Sequence, residues 1–185
     1  MAGKWYDYGM QPLADKIRPK SLDEFVGQRH LVGENKPLRV AIEQKHLFSF
    51  ILWGSPGVGK TTLARIYAKE LGARFFELSA VSAGKADIKK IVDEDTGAKQ
   101  KILFLDEIHR FNKAQQDYLL PFAETGDLVL IGATTENPSF EVISPLLSRC
   151  SVFTLNELSD DEMREIITHV GFKMDEGALE WLVAM

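Results

Sequence analysis

The 185-residue sequence contains a single cysteine, Cys150, so an internal disulfide is impossible and a reducing cytosolic setting is the simplest interpretation. No apolar run approaches ~18 residues, so we expect no membrane-spanning helix. The first eight residues lack the apolar centre of a secretion signal. Widely separated histidines and an unpaired cysteine exclude a zinc-binding pattern. These absences predict a cytoplasmic protein without membrane contact.

A basic tract is also missing, so composition alone does not indicate nucleic-acid binding. Residues 1–150 carry 20 Lys and Arg against 19 Asp and Glu, whereas residues 151–185 carry 2 against 8. This shift indicates a change of structural unit near Cys150. The length fits one domain, or one domain and the start of another.

Short apolar runs alternate with helical patterns along most of the chain. Apolar runs bounded by turn residues predict buried strands at 48–53, 74–78, 101–106, 128–133 and 151–155. Apolar periodicity predicts helices at 37–45, 61–71, 87–92 and 113–123, with Pro121 kinking or ending the last. This alternation predicts an α/β fold in three layers, with a five-stranded parallel sheet covered by helices on both faces. Beyond it, Ser159 and Glu162 form a capping box that opens a helix to about His169, and a second helix follows from Asp175.

Residues 54–61 read Gly-Ser-Pro-Gly-Val-Gly-Lys-Thr and match the pattern G-x-x-x-x-G-K-[ST] between a predicted strand and helix. Glycines let several backbone amides face one phosphate cluster, and the helix start adds partial positive charge. Lys60 supplies a cation for the β and γ phosphates, and Thr61 a hydroxyl for Mg²⁺. The predicted ATP-binding residues here are Gly54, Ser55, Pro56, Gly57, Val58, Gly59, Lys60, Thr61 and Thr62.

Two carboxylates, Asp106 and Glu107, follow four apolar residues at the end of a predicted strand. Asp106 is expected to bind the Mg²⁺ water shell beside Thr61, and Glu107 to orient or deprotonate the attacking water. The alternative is a solvated strand end with two surface acids. Both predicted metal ligands, Thr61 and Asp106, carry oxygen donors.

Polar residues at other strand ends are further candidates. Thr135, and second Thr134, can place a hydroxyl on the γ-phosphate or the water, or both can cap the turn that Asn137 and Pro138 mark. Ser79 is a weaker candidate for holding Glu107 by a hydrogen bond. His109 is expected to have a structural role.

These motifs in this order resemble those of AAA+ ATPases. Two stretches, 106–117 (DEIHRFNKAQQD) and 132–141 (GATTENPSFE) continuing to Ser148-Arg149-Cys150, are most similar to the replication-associated recombination protein A family, the bacterial relatives of the Werner-helicase-interacting protein. The resemblance covers about residues 10–185. It implies a DNA-dependent ATPase in replication-fork maintenance, recombination and repair, located in the bacterial cytosol with the nucleoid. The implied partners are gapped, forked or single-strand-containing DNA and the single-strand-binding protein.

The stretch Arg18-Pro19 to Phe25-Val26-Gly27-Gln28 resembles the segment that contacts the adenine in this superfamily, with Arg18 and Val26 as the contacting residues. By the same resemblance, Thr135 is the sensor 1 residue, and Arg149 is an arginine finger supplied in trans. Without the resemblance, Arg149 is an ordinary charge near a helix end. The implied domains are an N-terminal arm and adenine-contacting segment (1–36), a nucleotide-binding domain (37–156) and a partial helical lid (157–185). The connection within 167–176 is expected to be shorter than the family's usual one.

The chain ends before the family's second sensor arginine and its oligomerisation domain. We therefore expect a fragment of a homo-oligomeric protein that binds ATP and, as a monomer, hydrolyses it slowly. Lys85, Lys89 and Lys90 are candidate DNA contacts or simply a solvated helix face. Two alternatives stay open: a nucleotide-dependent interaction module, and a clamp-loader or branch-migration ATPase subunit.

Overall fold

A computed structural model describes residues 17–97, 99–169 and 175–183. The five strands, in chain order, are β1 (Phe50–Trp53), β2 (Arg74–Ser79), β3 (Lys101–Asp106), β4 (Val129–Thr134) and β5 (Ser151–Thr154). All strand pairs are parallel, and the order across the sheet is β2-β3-β4-β1-β5. The predicted five-stranded parallel sheet is therefore confirmed.

Helices precede, connect and follow these strands. Those before β3 are α1 (Arg29–Val32), α2 (Pro37–Glu43), α3 (Lys60–Glu70) and α4 (Lys85–Asp93). A 3-10 helix (Ile108–Arg110) follows β3. The later helices are α5 (Lys113–Thr125), α6 (Pro138–Glu141), α7 (Ser144–Leu147), α8 (Asp160–His169) and α9 (Glu176–Val183). Within the described ranges, no helix is both long and apolar enough to cross a bilayer.

Alternation of side chains along the buried strands divides the core into two clusters, one on each face of the sheet. On β1, Phe50 and Leu52 join the cluster that contains residues of α1, α2 and α3. Ile51 lies between them in sequence and joins the cluster that contains residues of α4, α5 and α7. Because successive residues of a strand face opposite sides, helices cover both faces, which confirms the predicted three layers.

Helix α5 does not end at Pro121, contrary to one of the two outcomes expected for that proline, but continues to Thr125. Pro121 lies on the exposed side of the helix, so the backbone carbonyl that loses its partner faces water. On the opposite side, Gln116 and Leu119 are buried and anchor the helix to the core. Burial of this face outweighs the local effect of the proline.

The predicted capping box at the start of α8 is present. The Ser159 amide donates to Glu162 Oε2 at 2.8 Å, and the Glu162 amide donates to Ser159 Oγ at 3.3 Å. Asp175 caps the last helix in a similar way, since its Oδ1 accepts from the Ala178 amide at 2.8 Å. The predictions for residues 1–16, for part of the 167–176 connection and for the last two residues lie outside the described residues.

Candidate nucleotide site

The phosphate-loop sequence forms the turn between β1 and α3. The Gly54 amide donates to Thr134 O at 3.2 Å, which ties the loop to the neighbouring strand β4. Gly57 and Gly59 have φ values of 84° and 100°, a region that side chains with a Cβ rarely adopt. Helix α3 starts directly at Lys60. Its first amides and its positive dipole end therefore face the space in front of the loop.

A cavity of about 540 Å³ opens in front of this loop. It brings together most of the predicted site residues: Arg18, Val26, Pro56, Gly57, Val58, Gly59, Lys60, Thr61, Thr62, Asp106 and Glu107. Gly54 and Ser55 do not line it but offer their carbonyl oxygens to Lys60. Thr135 and Arg149 are also not among its lining residues.

The Lys60 side chain is buried and has partners on the loop. Its Nζ donates to Gly54 O at 2.7 Å and to Ser55 O at 2.8 Å. Burial lowers the pKa of this ammonium from its ordinary value, while the negative charges of Glu107 and Asp106 act in the opposite direction. Lys60 is therefore a desolvated cation close to two carboxylates, which is a suitable environment for an anionic ligand.

The two acids at the end of β3 line the same cavity as the loop. The Glu107 amide donates to Asp106 Oδ1 at 3.2 Å. Glu107 has a left-handed backbone, with φ 54° and ψ 46°, and starts the 3-10 helix. Its Oε2 lies 3.2 Å from His109 Nδ1. Among the hydrogen bonds of the described residues, none joins Glu107 to Ser79, so the structure does not support the weaker expectation for Ser79.

Strand β4 lies between β1 and β3, so its end separates the phosphate loop from the two acids. Thr134 is fully buried, and its Oγ1 accepts from the Glu136 amide at 3.0 Å. The alternative that a threonine caps the following turn therefore holds for Thr134. Thr135 comes one residue later and is half-buried. Its assignment to the γ-phosphate stays a prediction.

The remaining lining residues of the cavity are mostly apolar, and we call them its apolar end. The resemblance pointed to the members from the N-terminal segment except Ile17, whereas the two from the last helical segment were not identified from the sequence. Ile17, Pro19 and Phe25 line it beside Arg18 and Val26, and Leu158 and Ile166 line it from the last helical segment. Such a surface suits a flat aromatic base. Ile166 belongs to the apolar side of α8, a signal that indicates burial but not what is buried against it.

Arg149 lies in the turn after α7 and has partners within the chain. Its Nη2 is 2.5 Å from Glu124 Oε1, and its Nη1 donates to Pro145 O at 2.7 Å. About a third of its side chain is exposed (38%), so the guanidinium is accessible from solvent.

Magnesium was predicted at Thr61 and Asp106, and their donor chemistry fits this ion. One hydroxyl and one carboxylate face the same cavity as the phosphate loop. Mg²⁺ prefers oxygen ligands, and nucleotide sites usually hold it with one or two protein groups, phosphates and water. No cluster of three or more His, Cys, Asp or Glu suited to a metal occurs in the part of the chain that the structure describes.

Comparison with known proteins gives consistent results. Residues 50–158 match the family described as "ATPase family associated with various cellular activities (AAA)". Replication-associated recombination protein A of Haemophilus influenzae is 49% identical over 168 residues, which cover 87% of this chain and 36% of that protein. ATPase WRNIP1 of Dictyostelium discoideum is 46% identical over 160 residues, covering 84% of this chain and 18% of that protein. The chain thus spans about a third of the length of the bacterial relative.

Solved structures support the same fold. The RuvB Holliday junction branch migration motor of Thermotoga maritima has a TM-score of 0.76 and 33% sequence identity. The match covers 90% of this chain and 59% of that chain. The sheet and its flanking helices therefore have the arrangement found in that motor.

Proposed function

Because this chain belongs to the AAA family of ATPases, we propose that it binds ATP with Mg²⁺ and hydrolyses the β–γ phosphate bond. One observation carries the proposal. A single cavity joins the phosphate loop and the first turn of α3 to Asp106 and Glu107. Backbone amides, a buried cation and two acids around one cavity are the groups that phosphoryl transfer requires.

Each group has a distinct role in the proposed reaction. The amides of residues 57–62 and the Lys60 ammonium bind the phosphates, and the α3 dipole adds to their attraction. Thr61 and Asp106 would hold Mg²⁺, which neutralises phosphate charge when bound. Glu107 accepts a hydrogen bond from a water and directs its oxygen at the γ-phosphorus. The bond from that phosphorus to the bridging oxygen breaks, ADP leaves with the electron pair, and the water proton passes to Glu107.

The apolar end of the cavity is proposed to bind the adenine. Phe25, Val26, Leu158 and Ile166 provide contact area, while Arg18 provides a polar group. The base would thus contact both the N-terminal segment and the last helical segment. Nucleotide binding would then stabilise their mutual arrangement, since a ligand stabilises the conformation to which it binds.

Arg149 is proposed to act on the nucleotide of a second copy, and Thr135 to contact the γ-phosphate. Arg149 does not line its own chain's cavity, and its guanidinium is accessible. Such an arginine raises hydrolysis by about 10³–10⁵ in other systems. The isolated chain is therefore expected to bind ATP and hydrolyse it slowly.

For the longer protein we propose ATP-driven remodelling of DNA in replication and recombination, in the cytosol. The names of the relatives support this assignment. Gapped or forked DNA, single-strand-binding protein and further copies of the chain are its proposed partners. Lys85 lies over the Tyr118 ring and Lys90 pairs with Asp87. Lys89 and Lys90 are nevertheless exposed on α4, so they remain candidate phosphate contacts.

A titration of DNA affinity against salt tests these lysines. Each phosphate contact removed should reduce the slope of log affinity against log salt by about 0.7–0.9. We expect Lys89→Ala with Lys90→Ala to lower the slope, whereas Lys99→Ala serves as an exposed control. An unchanged slope in the double variant would remove both lysines from the interface.

The ATP proposal is tested by measuring ATP affinity and single-turnover hydrolysis in three variants. Lys60→Ala should abolish binding, because it removes the buried cation. Glu107→Gln should bind ATP with nearly unchanged affinity and lose hydrolysis by about 10²–10⁴. Lys99→Ala, at an exposed position outside the cavity lining, should resemble the unmodified chain. Tight binding without any turnover would instead indicate a nucleotide-dependent interaction module, and equal hydrolysis with Gln at 107 would remove Glu107 from the mechanism.

A further inference from the structure

His109 contacts Glu107 of the proposed site and Thr134 on the neighbouring strand, but it has no role in the mechanism above. Its side chain is 8% exposed, and its Nδ1 lies 3.2 Å from Glu107 Oε2. The same nitrogen lies 3.0 Å from Thr134 Oγ1 at the end of β4. His109 therefore joins the acid after β3 to the neighbouring strand, whose following residue is Thr135.

The surrounding hydrogen bonds indicate which ring nitrogen carries the proton. The hydrogen bond of His109 Nδ1 is to Thr134 Oγ1. Glu107 Oε2 lies beside the same nitrogen at 3.2 Å as a charge contact, and a carboxylate oxygen there favours a nitrogen that carries a proton. Thr134 Oγ1 accepts from the Glu136 amide at 3.0 Å and donates to Glu136 O at 3.1 Å. Its single proton is then used, which leaves Oγ1 as an acceptor for His109. Both partners thus require Nδ1–H.

The backbone at this position also holds Glu107 and His109 together. Glu107 has φ 54°, an uncommon value for a residue with a long side chain. The turn is closed by the Arg110 amide, which donates to Glu107 O at 2.8 Å, and by the fully buried Ile108. Such backbone strain persists only where surrounding structure determines it, and it occurs often at functional sites.

We propose that His109 is a positioning residue for ATP hydrolysis, and the proposal rests on the ATPase function inferred above. Its Nδ1–H donates to Thr134 Oγ1 and also attracts Oε2 of Glu107, 3.2 Å away, so that Oε1 is the oxygen presented to the attacking water. The bond to Thr134 fixes the imidazole to the end of β4, beside Thr135. Any movement of that strand end is thereby transmitted to Glu107.

The proposal is tested by substitutions that place a side-chain amide near one or the other ring nitrogen of His109. In His109→Asn the side-chain amide falls near the Nδ1 position, whereas in His109→Gln it reaches the Nε2 position. We expect ATP affinity to change little in either variant and in His109→Ala. Single-turnover hydrolysis should fall by about 100-fold in the Ala and Gln variants, because misplacing a reacting group by ~1 Å has an effect of that order. The Asn variant should retain most of the rate.

Three outcomes would overturn the proposal: an unchanged rate in His109→Ala, faster hydrolysis in that variant, or a Gln variant at least as active as the Asn variant. Thermal unfolding of all variants identifies any that do not fold.

Nitrogen NMR of the ¹⁵N-labelled chain gives a readout that needs no activity. The His109 ring should be in the Nδ1–H form, with His109→Asn serving to assign its signals. Glu107→Gln or Thr134→Val should shift the Nδ1 resonance. An Nε2–H tautomer would refute the contact even in an active chain. If the unmodified chain neither binds nor hydrolyses ATP, the proposed function fails, while this readout still decides whether His109 holds Glu107.

Discussion

Gly59 is constrained in two ways, by its backbone and by a neighbouring ring. Its φ is 100°, and a Cβ built on it would lie 2.8 Å from Phe25 Cζ. Gly57 has a similar φ of 84°, but a Cβ there would meet nothing within 4 Å. A comparison of substitutions at these two glycines therefore separates the effect of backbone strain from the effect of close packing within one loop.

We predict that Gly59→Ala destabilises the chain more than Gly57→Ala. Both variants incur backbone strain of about 1–2 kcal/mol, and only Gly59→Ala adds overlap with the ring, at roughly 1–3 kcal/mol. Urea unfolding without nucleotide measures the difference. Adding Phe25→Leu to Gly59→Ala should recover part of the loss. Equal unfolding free energies for the two alanine variants would contradict the packing argument.

Tyr67 gives a prediction for alkaline stability. Its hydroxyl is buried, donates to His46 O at 2.9 Å and accepts from the Phe48 amide at 3.3 Å. Burial raises the pKa of Tyr67 from 10.0 to about 12, partly opposed by the Phe48 hydrogen bond. Because the folded state holds this proton more tightly, its stabilising effect is present below pH 10 and is lost as pH rises towards 12.

We expect Tyr67→Phe to lower stability at neutral pH by about 1–3 kcal/mol, since two backbone groups lose a buried partner, and to reduce the alkaline loss. Unfolding free energy measured from neutral pH to pH 12 tests this. The pKa of the buried Cys150 is also raised, from 9.0 to about 11, so the series is run in a Cys150→Ala background. Tyr118→Phe is the control. If Tyr67→Phe had the same pH profile as the Cys150→Ala background, the alkaline loss of stability could not be assigned to Tyr67.

At the scale of elements, Gln28 joins the N-terminal segment to the connection between β5 and α8. Its Nε2 donates to Asn156 O at 2.7 Å, and its Oε1 accepts from the Asn156 amide at 2.9 Å. The side chain is buried. Phe25 and Val26 precede it and Leu158 follows Asn156, and these three residues line the cavity. The pair thus fixes the two segments that form its apolar end.

We predict that Gln28→Ala destabilises the chain by about 1–3 kcal/mol, because both backbone groups of Asn156 lose their partner. Hydrogen exchange should increase at residues 155–158, and ATP affinity should fall several-fold. Gln44→Ala, at an exposed position, should change stability by no more than about 0.5 kcal/mol. Unaltered exchange at residues 155–158 in Gln28→Ala would show that the pair does not hold the connection.

Helices and strands with a regular pattern of apolar residues were predictable from the sequence. Where the predicted and observed elements differ, the differences have identifiable physical causes. The strand at 101–106 was predicted with its observed ends because four apolar residues lie between a lysine and an aspartate. The effect of Pro121 on α5 was not predictable, since it depends on which side of the helix faces water. The short helix α1 was not predicted; it covers only four residues and begins after a left-handed Gln28.

At the scale of the molecule, the phosphate end of the site was readable from local motifs. The N-terminal part of the apolar end was identified only through the resemblance to a known family, and the part from the last helical segment was not identified. Residues 54–61 and the acids after β3 belong to contiguous motifs whose spacing reflects phosphate chemistry. Leu158 and Ile166 are far from them in sequence and reach the cavity only through tertiary packing. The contact between His109 and Thr134 likewise depends on β3 and β4 being neighbours, which no local pattern specifies.

Arg149 leads to a prediction about assembly, because it does not line the cavity of its own chain. If it completes the site of a second copy, the hydrolysis rate per chain should increase with chain concentration, by up to about 10³-fold. Arg149→Ala should abolish that increase while leaving ATP affinity nearly unchanged. Glu124→Ala removes the ion-pair partner of Arg149 but keeps the arginine. It therefore separates the ion pair within the chain from the action of Arg149 on a second copy. If Arg149 only pairs with Glu124, both variants should have the same small loss of stability, and the rate per chain should not depend on concentration.

A mixture of two variants tests the same point independently. Lys60→Ala chains retain Arg149 but lack a working site, whereas Arg149→Ala chains retain the site and lack the arginine. Each should be nearly inactive alone, and mixing should restore hydrolysis, because the site of one chain then meets the guanidinium of the other. Restoration that also occurs with a Lys60→Ala, Arg149→Ala double variant would exclude the arginine as its cause. Absence of restoration at concentrations where the unmodified chain associates would exclude action in trans.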